Sequence, residues 1–233
     1  MFYNEEEKNQ IKEKWKNVFM NNCKICNGEG YFKRDGINEQ CECMKRAIKY
    51  YKLEIANIPM QNIKVKKEDF EKYIKYDFKN YFDIISKNVF NTKNIFLYNL
   101  NIELNDMIIT YIAKNLINKE NILTKQKIKV QYTTFDNLVQ LSLRSNNDKE
   151  SRDKLNYLVN KIDVLFIDNV GLETGFGNNS KHNVKLLQTI MKGRNNKLKS
   201  TIICSKLYFQ DIERFYNKEI VEMFTKYDII KGE

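Results

Sequence analysis

The chain has 233 residues, 42% of them hydrophobic and 12% aromatic, which is enough to build a buried core and excludes a disordered tail. Forty Lys and Arg against 30 Asp and Glu leave a formal charge of +10, favouring a polyanion or an acidic protein surface as partner. One Pro and eight Gly argue against a fibrous or loop-rich protein. No apolar run reaches the roughly 18 residues of a membrane span, and Asn4-Glu5-Glu6-Glu7 is acidic where a secretory leader is basic. A soluble, cytoplasmic protein is the expectation.

Residues 5–20 read as a charged helix with Ile11, Trp15, Val18 and Phe19 on one side. Next come four of the five cysteines within 21 residues: Cys23 and Cys26, fourteen intervening residues, then Cys41 and Cys43. In a reducing compartment this spacing predicts a metal site rather than a disulfide framework. Zinc takes four tetrahedral ligands, which two close pairs on two turns supply. Gly28 and Gly30 follow the first pair, where the backbone must turn sharply. The set is closed, so a structural Zn2+ with no zinc chemistry is expected.

A basic helix is predicted around 44–55, broken at Asn57-Ile58-Pro59 because the residue before proline avoids the α region. The domain organisation read from this is 1–56 as helix plus zinc module, 57–69 as linker, and 70–233 as a second domain. There strands and helices alternate. Asn94–Tyr98, Lys129–Tyr132, Asp163–Asp168 and Ser200–Cys204 are short apolar strands. Between them Met107, Ile108, Tyr111, Ile112 and Leu116, then Phe135, Leu138, Val139 and Leu143, then Val184, Leu187, Ile190 and Met191 recur at helical spacing. Short apolar strands separated by helices imply an α/β fold with a parallel sheet covered on both faces. Cys204 is expected to be a buried core thiol.

From Lys181 to Lys206 there are seven basic residues and no acid. Lys181, Lys185 and Lys192 fall opposite the apolar side of their helix, and Arg194, Lys197 and Lys199 follow. These six are candidate nucleic-acid or partner contacts, set against the plainer reading of a solvated face in a Lys- and Asn-rich chain. His182, the one histidine, has no second base or nucleophile nearby and reads as a surface residue.

The order of these features resembles the DnaC/DnaI-type replicative helicase loaders of the AAA+ family. Six segments carry the resemblance: the paired cysteines; Ile55-Ala56-Asn57-Ile58-Pro59, similar to the family's linker; Val130–Leu138; Leu165-Phe166-Ile167-Asp168-Asn169-Val170-Gly171-Leu172-Glu173, similar to a Walker B segment; Arg194; and Thr201–Leu207, similar to a sensor-1 strand. The resemblance implies an AAA+-like P-loop NTPase fold behind the zinc module.

The departures bear on activity. A P-loop closes glycine N–H groups and a Lys around phosphates. The corresponding stretch, Asn99–Asp106, has neither, and Glu103 and Asp106 would repel a triphosphate. Asn169 replaces the second Walker B acid, Lys206 the sensor-1 Asn, and Glu219 and Glu222 stand near the arginine-finger position. A degenerate nucleotide site near Asn105, Asp106 and Asp168 is expected, with no catalytic residue and no ATP. The resemblance then implies a pseudo-ATPase adaptor or inhibitor in DNA replication, encoded by a phage or mobile element. Its partners would be the replicative helicase, single-stranded DNA and other AAA+ subunits. The alternatives are an ATPase working through a composite site with a partner subunit, and a zinc-containing nucleic-acid-binding regulator.

Overall fold

The computed structural model describes residues 3–66, 68–69, 94–98, 102–117, 119, 126–172 and 180–231. Asn99, Leu100, Asn101, Phe70 and Glu173, which the sequence reading uses, lie outside the described residues. The chain divides into two compact units, Met1–Met60 and Gln61–Glu233.

The first unit begins with α1 (Glu5–Met20). Asn4 caps it: its side chain accepts from the Glu7 N–H while the Glu7 carboxylate accepts from the Asn4 N–H. This reciprocal box satisfies two of the donors that a helix start leaves over. The hairpin strands β1 (Tyr31–Arg34) and β2 (Ile37–Gln40) follow, paired antiparallel with Arg34 opposite Ile37. Asp35 and Gly36 form the two-residue turn at φ +50° and +81°, the left-handed pair that matches strand twist in tight hairpins.

Helix α2 (Glu42–Ile55) packs against α1. Trp15 and Phe19 of α1 meet Tyr50 of α2 with centroids 5.0 and 4.8 Å apart. The Trp15 indole N–H donates to Glu54 at 2.6 Å, and Lys14 reaches the same carboxylate at 2.9 Å. Ile11 is buried as expected, but Val18 is 60% exposed. The apolar stripe therefore follows the 11–15–19 spacing, one helix turn per step, and position 18 faces away.

Helix α2 ends in a left-handed cap before the proline acts. Asn57 has φ +57°; its N–H donates to the Glu54 carbonyl, and the Ile58 N–H donates to that of Leu53. These are the two bonds of a Schellman motif, and Leu53 and Ile58 are both buried.

The second unit contains a five-stranded sheet of β3 (Ile95–Tyr98), β4 (Val130–Thr134), β5 (Val164–Asp168), β6 (Ser200–Ser205) and β7 (Asp228–Lys231). All pairings are parallel, in the order β4-β5-β6-β3-β7. Every residue of β5 and β6 is buried, as strands covered on both faces must be. Helices among the described residues include α3 (Ile102–Leu116), α4 (Phe135–Arg144), α5 (Lys149–Asn160), α6 (Ser180–Asn196), α7 (Phe209–Phe215) and α8 (Lys218–Phe224).

Ile108, Ile109, Ile112 and Leu116 of α3 are buried, each contributing about 1.5–3 kcal/mol by leaving water. Phe96 of β3 stacks on Phe224 of α8 at 4.2 Å. Gln61 Nε2 donates to Asp106 and Lys114 Nζ to the Val65 carbonyl, so residues 61–65 are fastened to α3. The stretch assigned to a linker thus belongs, from Gln61 onward, to the second unit.

Candidate functional site

Two clusters of polar side chains draw attention, one in each unit. In the first, the chain leaves α1 through a turn closed by the Cys23 N–H on the Met20 carbonyl. Asn27, Gly28 and Gly30 then take positive φ, at +49°, +88° and +82°. The φ of Gly30 is one that side-chain-bearing residues rarely adopt, and a Cβ there would also push on the flexible ends of Met44 and Met20, at 2.7 and 3.0 Å. The Cys41 N–H donates to the Gly30 carbonyl at 2.8 Å, bringing the second knuckle against the first. Cys41 is the N-cap of α2 and Cys43 lies in its first turn, where the helix dipole favours a thiolate.

The four Sγ atoms of Cys23, Cys26, Cys41 and Cys43 all lie within 4.8 Å of one another. Cys23 and Cys41 are 3.6 Å apart, and Cys26 and Cys43 3.3 Å. Zinc–sulfur bonds of about 2.3 Å in a tetrahedron place sulfurs roughly 3.8 Å apart, so the residues present fit a tetrahedral metal ion. The Gly30 N–H donates to Cys26 Sγ at 3.2 Å, supporting one ligand from behind. Backbone N–H groups of Cys26 and Ile25 bring the Cys23 thiol down to about 6, while burial raises that of Cys43. Met20 and Ala47 are buried with the thiols, and Trp15, Phe19, Phe32 and Met44 pack around them. The arrangement is a closed four-sulfur centre.

In the second unit, Asp168 ends β5 at the carboxyl edge of the sheet. The strand order reverses about β3, and in open α/β sheets ligands bind at the strand ends beside such a reversal. Here the Asp168 carboxylate is bonded to the protein's own groups. Asn105 Nδ2 donates to Asp168 Oδ1 at 2.8 Å and the Tyr132 hydroxyl to Oδ2 at 2.8 Å. The Asn169 N–H donates to Oδ1 at 2.7 Å, with Asn169 at φ +58°. Both carboxylate oxygens are engaged, and Asn105, Asp106 and Asp168 are all buried. Burial and then the Asp168 charge raise the Asp106 carboxyl. Burial and the same carboxylate push the Tyr132 phenol far above its usual range. Tyr132 carried no functional weight in the sequence; its partner lies 36 residues away.

Arg194 requires a correction. Its side chain is 0% exposed, which removes it from any nucleic-acid surface. The guanidinium donates to the carbonyls of Leu158, Val159, Ile162, Asp163 and Ser200, and Nε donates to the Thr201 hydroxyl. It ties α5, the segment leading into β5, α6 and β6 together with no ion pair among the described residues, and burial draws it down to about 10.

Of the other basic candidates, Lys197 donates to Asn160, Lys199 pairs with Asp163 at 3.1 Å, and Lys192 pairs with Glu219 at 2.7 Å. Lys181 and Lys185 are exposed and form no ion pair among the described residues. They line a cleft of about 720 Å³ with Val184, Gln188, Arg214, Phe215, Tyr216 and Asn217. His182 is half-buried rather than a surface residue, its Nε2 buried without a hydrogen-bond partner. Cys204 is buried as expected, and burial raises its thiol well above the ordinary range.

No protein-family model matches the sequence, and no curated protein matches it. Solved structures do match. The DnaC helicase loader superposes with a TM-score of 0.51 at 17% identity, covering 66% of this chain and 87% of that one. DnaI gives 0.54 at 15% identity, over 75% and 94%. The replication initiator DnaA bound to AMPPCP and single-stranded DNA gives 0.52 at 15% identity, over 70% of this chain and 49% of that one. The chain thus spans most of the loader structures and about half of the initiator. At these identities the likeness is one of fold, and the fold is the AAA+ P-loop fold of the DnaC/DnaI-type loaders. No helix among the described residues is long and apolar enough to cross a membrane.

Proposed function

We propose that this chain is a loader-like adaptor or inhibitor in DNA replication that binds a replicative helicase without hydrolysing ATP. The observation that carries the absence of turnover is the state of Asp168. In a P-loop NTPase a Walker B aspartate holds Mg2+ beside the γ-phosphate. Here Asn105, Tyr132 and the Asn169 N–H already occupy both of its oxygens. The neighbouring Asp106 is a second buried carboxyl beside Asp168, so the cluster brings acids rather than a cation to any phosphate. Neither Asn105 nor Asp106 can replace the P-loop Lys, and no Gly or Lys occurs in Asn99–Asp106.

The four thiolates would hold structural Zn2+, bound by Cys23, Cys26, Cys41 and Cys43, and the ion would supply folding free energy rather than chemistry. The zinc module is read as the partner-docking part. The fold of DnaC and DnaI supports a helicase as that partner, and the single-stranded DNA in the DnaA complex supports a nucleic-acid contact by the second unit. Such a protein would act in the cytoplasm and stoichiometrically.

Affinity purification from the native source tests the reading, with helicase recovered alongside the wild-type chain and lost with Cys23→Ser/Cys26→Ser. Helicase recovery unchanged by that variant would remove the docking role from the zinc module. Calorimetric titration with ATP and Mg2+ is expected to give no heat of binding. Micromolar binding would overturn the pseudo-ATPase assignment.

A further inference from the structure

We propose that the thiol centre is a peroxide-sensitive switch, in which oxidation joins Cys23 to Cys41 and Cys26 to Cys43 and releases the metal from the docking module. The switch rests on the zinc and docking readings above; the pairing of the sulfurs rests on geometry alone.

The first observation is uneven cover. Cys26, Cys41 and Cys43 are buried, at 5%, 1% and 8% exposure, while Cys23 is only half-buried. Metal-bound sulfurs are thiolates, and oxidation selects thiolates that solvent can reach. Cys23 is thus the point of attack. The fifth thiol, Cys204, is 1% exposed in β6 and belongs to the other unit, so it takes no part.

The second observation is how the sulfurs are placed. Four cysteines allow three connectivities. Joining Cys23 to Cys26 would leave Cys41 to Cys43, but Cys41 is the N-cap of α2 and Cys43 stands in its first turn. Side chains two apart on a helix do not face each other, so that bond would unwind the turn. Both remaining connectivities cross between the knuckles. The sulfurs in direct contact are those of Cys23 and Cys41, at 3.6 Å, and of Cys26 and Cys43, at 3.3 Å, which selects these pairs. The Cys41 N–H on the Gly30 carbonyl at 2.8 Å joins the knuckles through backbone alone, so the partners stay close as ligands are lost.

The chemistry balances with hydrogen peroxide as oxidant. The Cys23 thiolate attacks one peroxide oxygen, the O–O bond breaks, and a sulfenic acid and hydroxide result. The Cys41 thiolate then attacks the Cys23 sulfur, forming the S–S bond and expelling a second hydroxide. A second peroxide joins Cys26 to Cys43 in the same way. Each disulfide takes two thiolate ligands from the centre, and a four-sulfur site so depleted no longer holds Zn2+.

The test uses the full wild-type chain, so it does not depend on a variant that folds. Its metal is first quantified by atomic absorption. Hydrogen peroxide is then added in steps, and released Zn2+ is read with a chromogenic chelator. Release should be complete by about two equivalents of peroxide, and dithiothreitol with added Zn2+ should restore the centre. Connectivity is read by non-reducing mass spectrometry. Trypsin cuts after Lys24, between Cys23 and Cys26, and a glutamate-specific protease cuts after Glu42, between Cys41 and Cys43, so the four thiols fall on separate peptides. Cross-links of Cys23 to Cys41 and of Cys26 to Cys43 are expected. Cys204→Ser should respond as the wild type does. The oxidised chain should lose helicase recovery and regain it on reduction with Zn2+.

Retention of Zn2+ at a peroxide dose that oxidises free glutathione would overturn the switch. So would either of the other two connectivities, or helicase recovery by the oxidised chain equal to that of the reduced chain. Absence of metal from the isolated chain, with the cross-links as expected, would overturn the zinc reading and leave the sulfur pairing standing. Failure of the reduced chain to recover helicase, with metal release as expected, would overturn the docking reading and leave the peroxide chemistry standing.

Discussion

The thiol centre of the first unit and the carboxylate centre of the second are both clusters of buried polar groups, yet they are built on opposite principles. Around the thiols, the supporting backbone donors are few, and four sulfurs converge on one point at spacings that suit a tetrahedral ion. Around Asp168, an amide, a phenol and a backbone N–H satisfy the acceptor atoms directly. A polar cluster needs an external ligand to the extent that its own neighbours leave it unsatisfied. By that measure the first unit depends on something it does not itself supply, whereas in the second the carboxylate of Asp168 is satisfied and Asn105 Oδ1 is the atom left buried without a hydrogen-bond partner.

The largest expected effect breaks the comparison on the thiol side. Stripping metal with a chelator should unfold the first unit, since structural zinc contributes about 10–16 kcal/mol in small sites. Trp15 is the chain's only tryptophan and packs beside the thiol cluster. Its emission should shift to the red while the second unit keeps its cooperative transition. An unshifted spectrum after metal loss, verified by atomic absorption, would refute the dependence.

The reverse manipulation is Arg194→Ala. It removes a donor from five carbonyls, three of the bonds buried and two part-buried, and should cost the second unit about 3–4 kcal/mol, or roughly 10 °C in Tm, with the Trp15 signal unmoved. A smaller test of the same unit is Gly171→Ala. Gly171 has φ +92°, and an added Cβ would stand 2.3 Å from Leu207 Cδ1. A loss of about 1–3 kcal/mol in denaturant unfolding is expected.

The smallest effect concerns Asp106 and should go the other way. Its carboxyl is raised in the folded state, by burial and then by Asp168. The folded form thus favours the proton, and the associated stability is present below the ordinary carboxylate pKa of about 4 and lost as pH rises through the folded value. Asp106→Asn should therefore stabilise the second unit at pH 7, within about 1 kcal/mol, and the gain should vanish in acid. Destabilisation at pH 7 would show that the bond from Gln61 Nε2 favours the charged carboxylate by more than burial and Asp168 oppose it.

Much of this was legible in the sequence where one local cause decides the outcome. The bounds of α1 follow from a capping residue and a regular apolar spacing, and the thiol centre follows from spacing plus glycine. The central strands were readable as apolar runs because burial on both faces removes alternation. Strands β1 and β2 were not, since they are short and mostly exposed and carry no such signal. Helix α5 has few apolar residues to mark it, and of these Tyr157 is 40% exposed. The roles of Arg194 and Tyr132 depend on partners brought together by the sheet. An arginine in a basic run reads as surface until five carbonyls are found around it. Likewise Asn105 captures Asp168 across 63 residues, a distance that no local pattern spans.

The Asp35–Gly36 tip of the β1–β2 hairpin has a practical consequence. The hairpin joins the two cysteine pairs, but its base is closed independently by the Cys41 N–H on the Gly30 carbonyl. A Cβ at Gly36 meets nothing within 4 Å. Added length at the tip is thus taken up outward, where loop growth costs little, while the sulfurs keep their places. A peptide epitope or a fluorescent residue inserted between Asp35 and Gly36 would give this protein a handle.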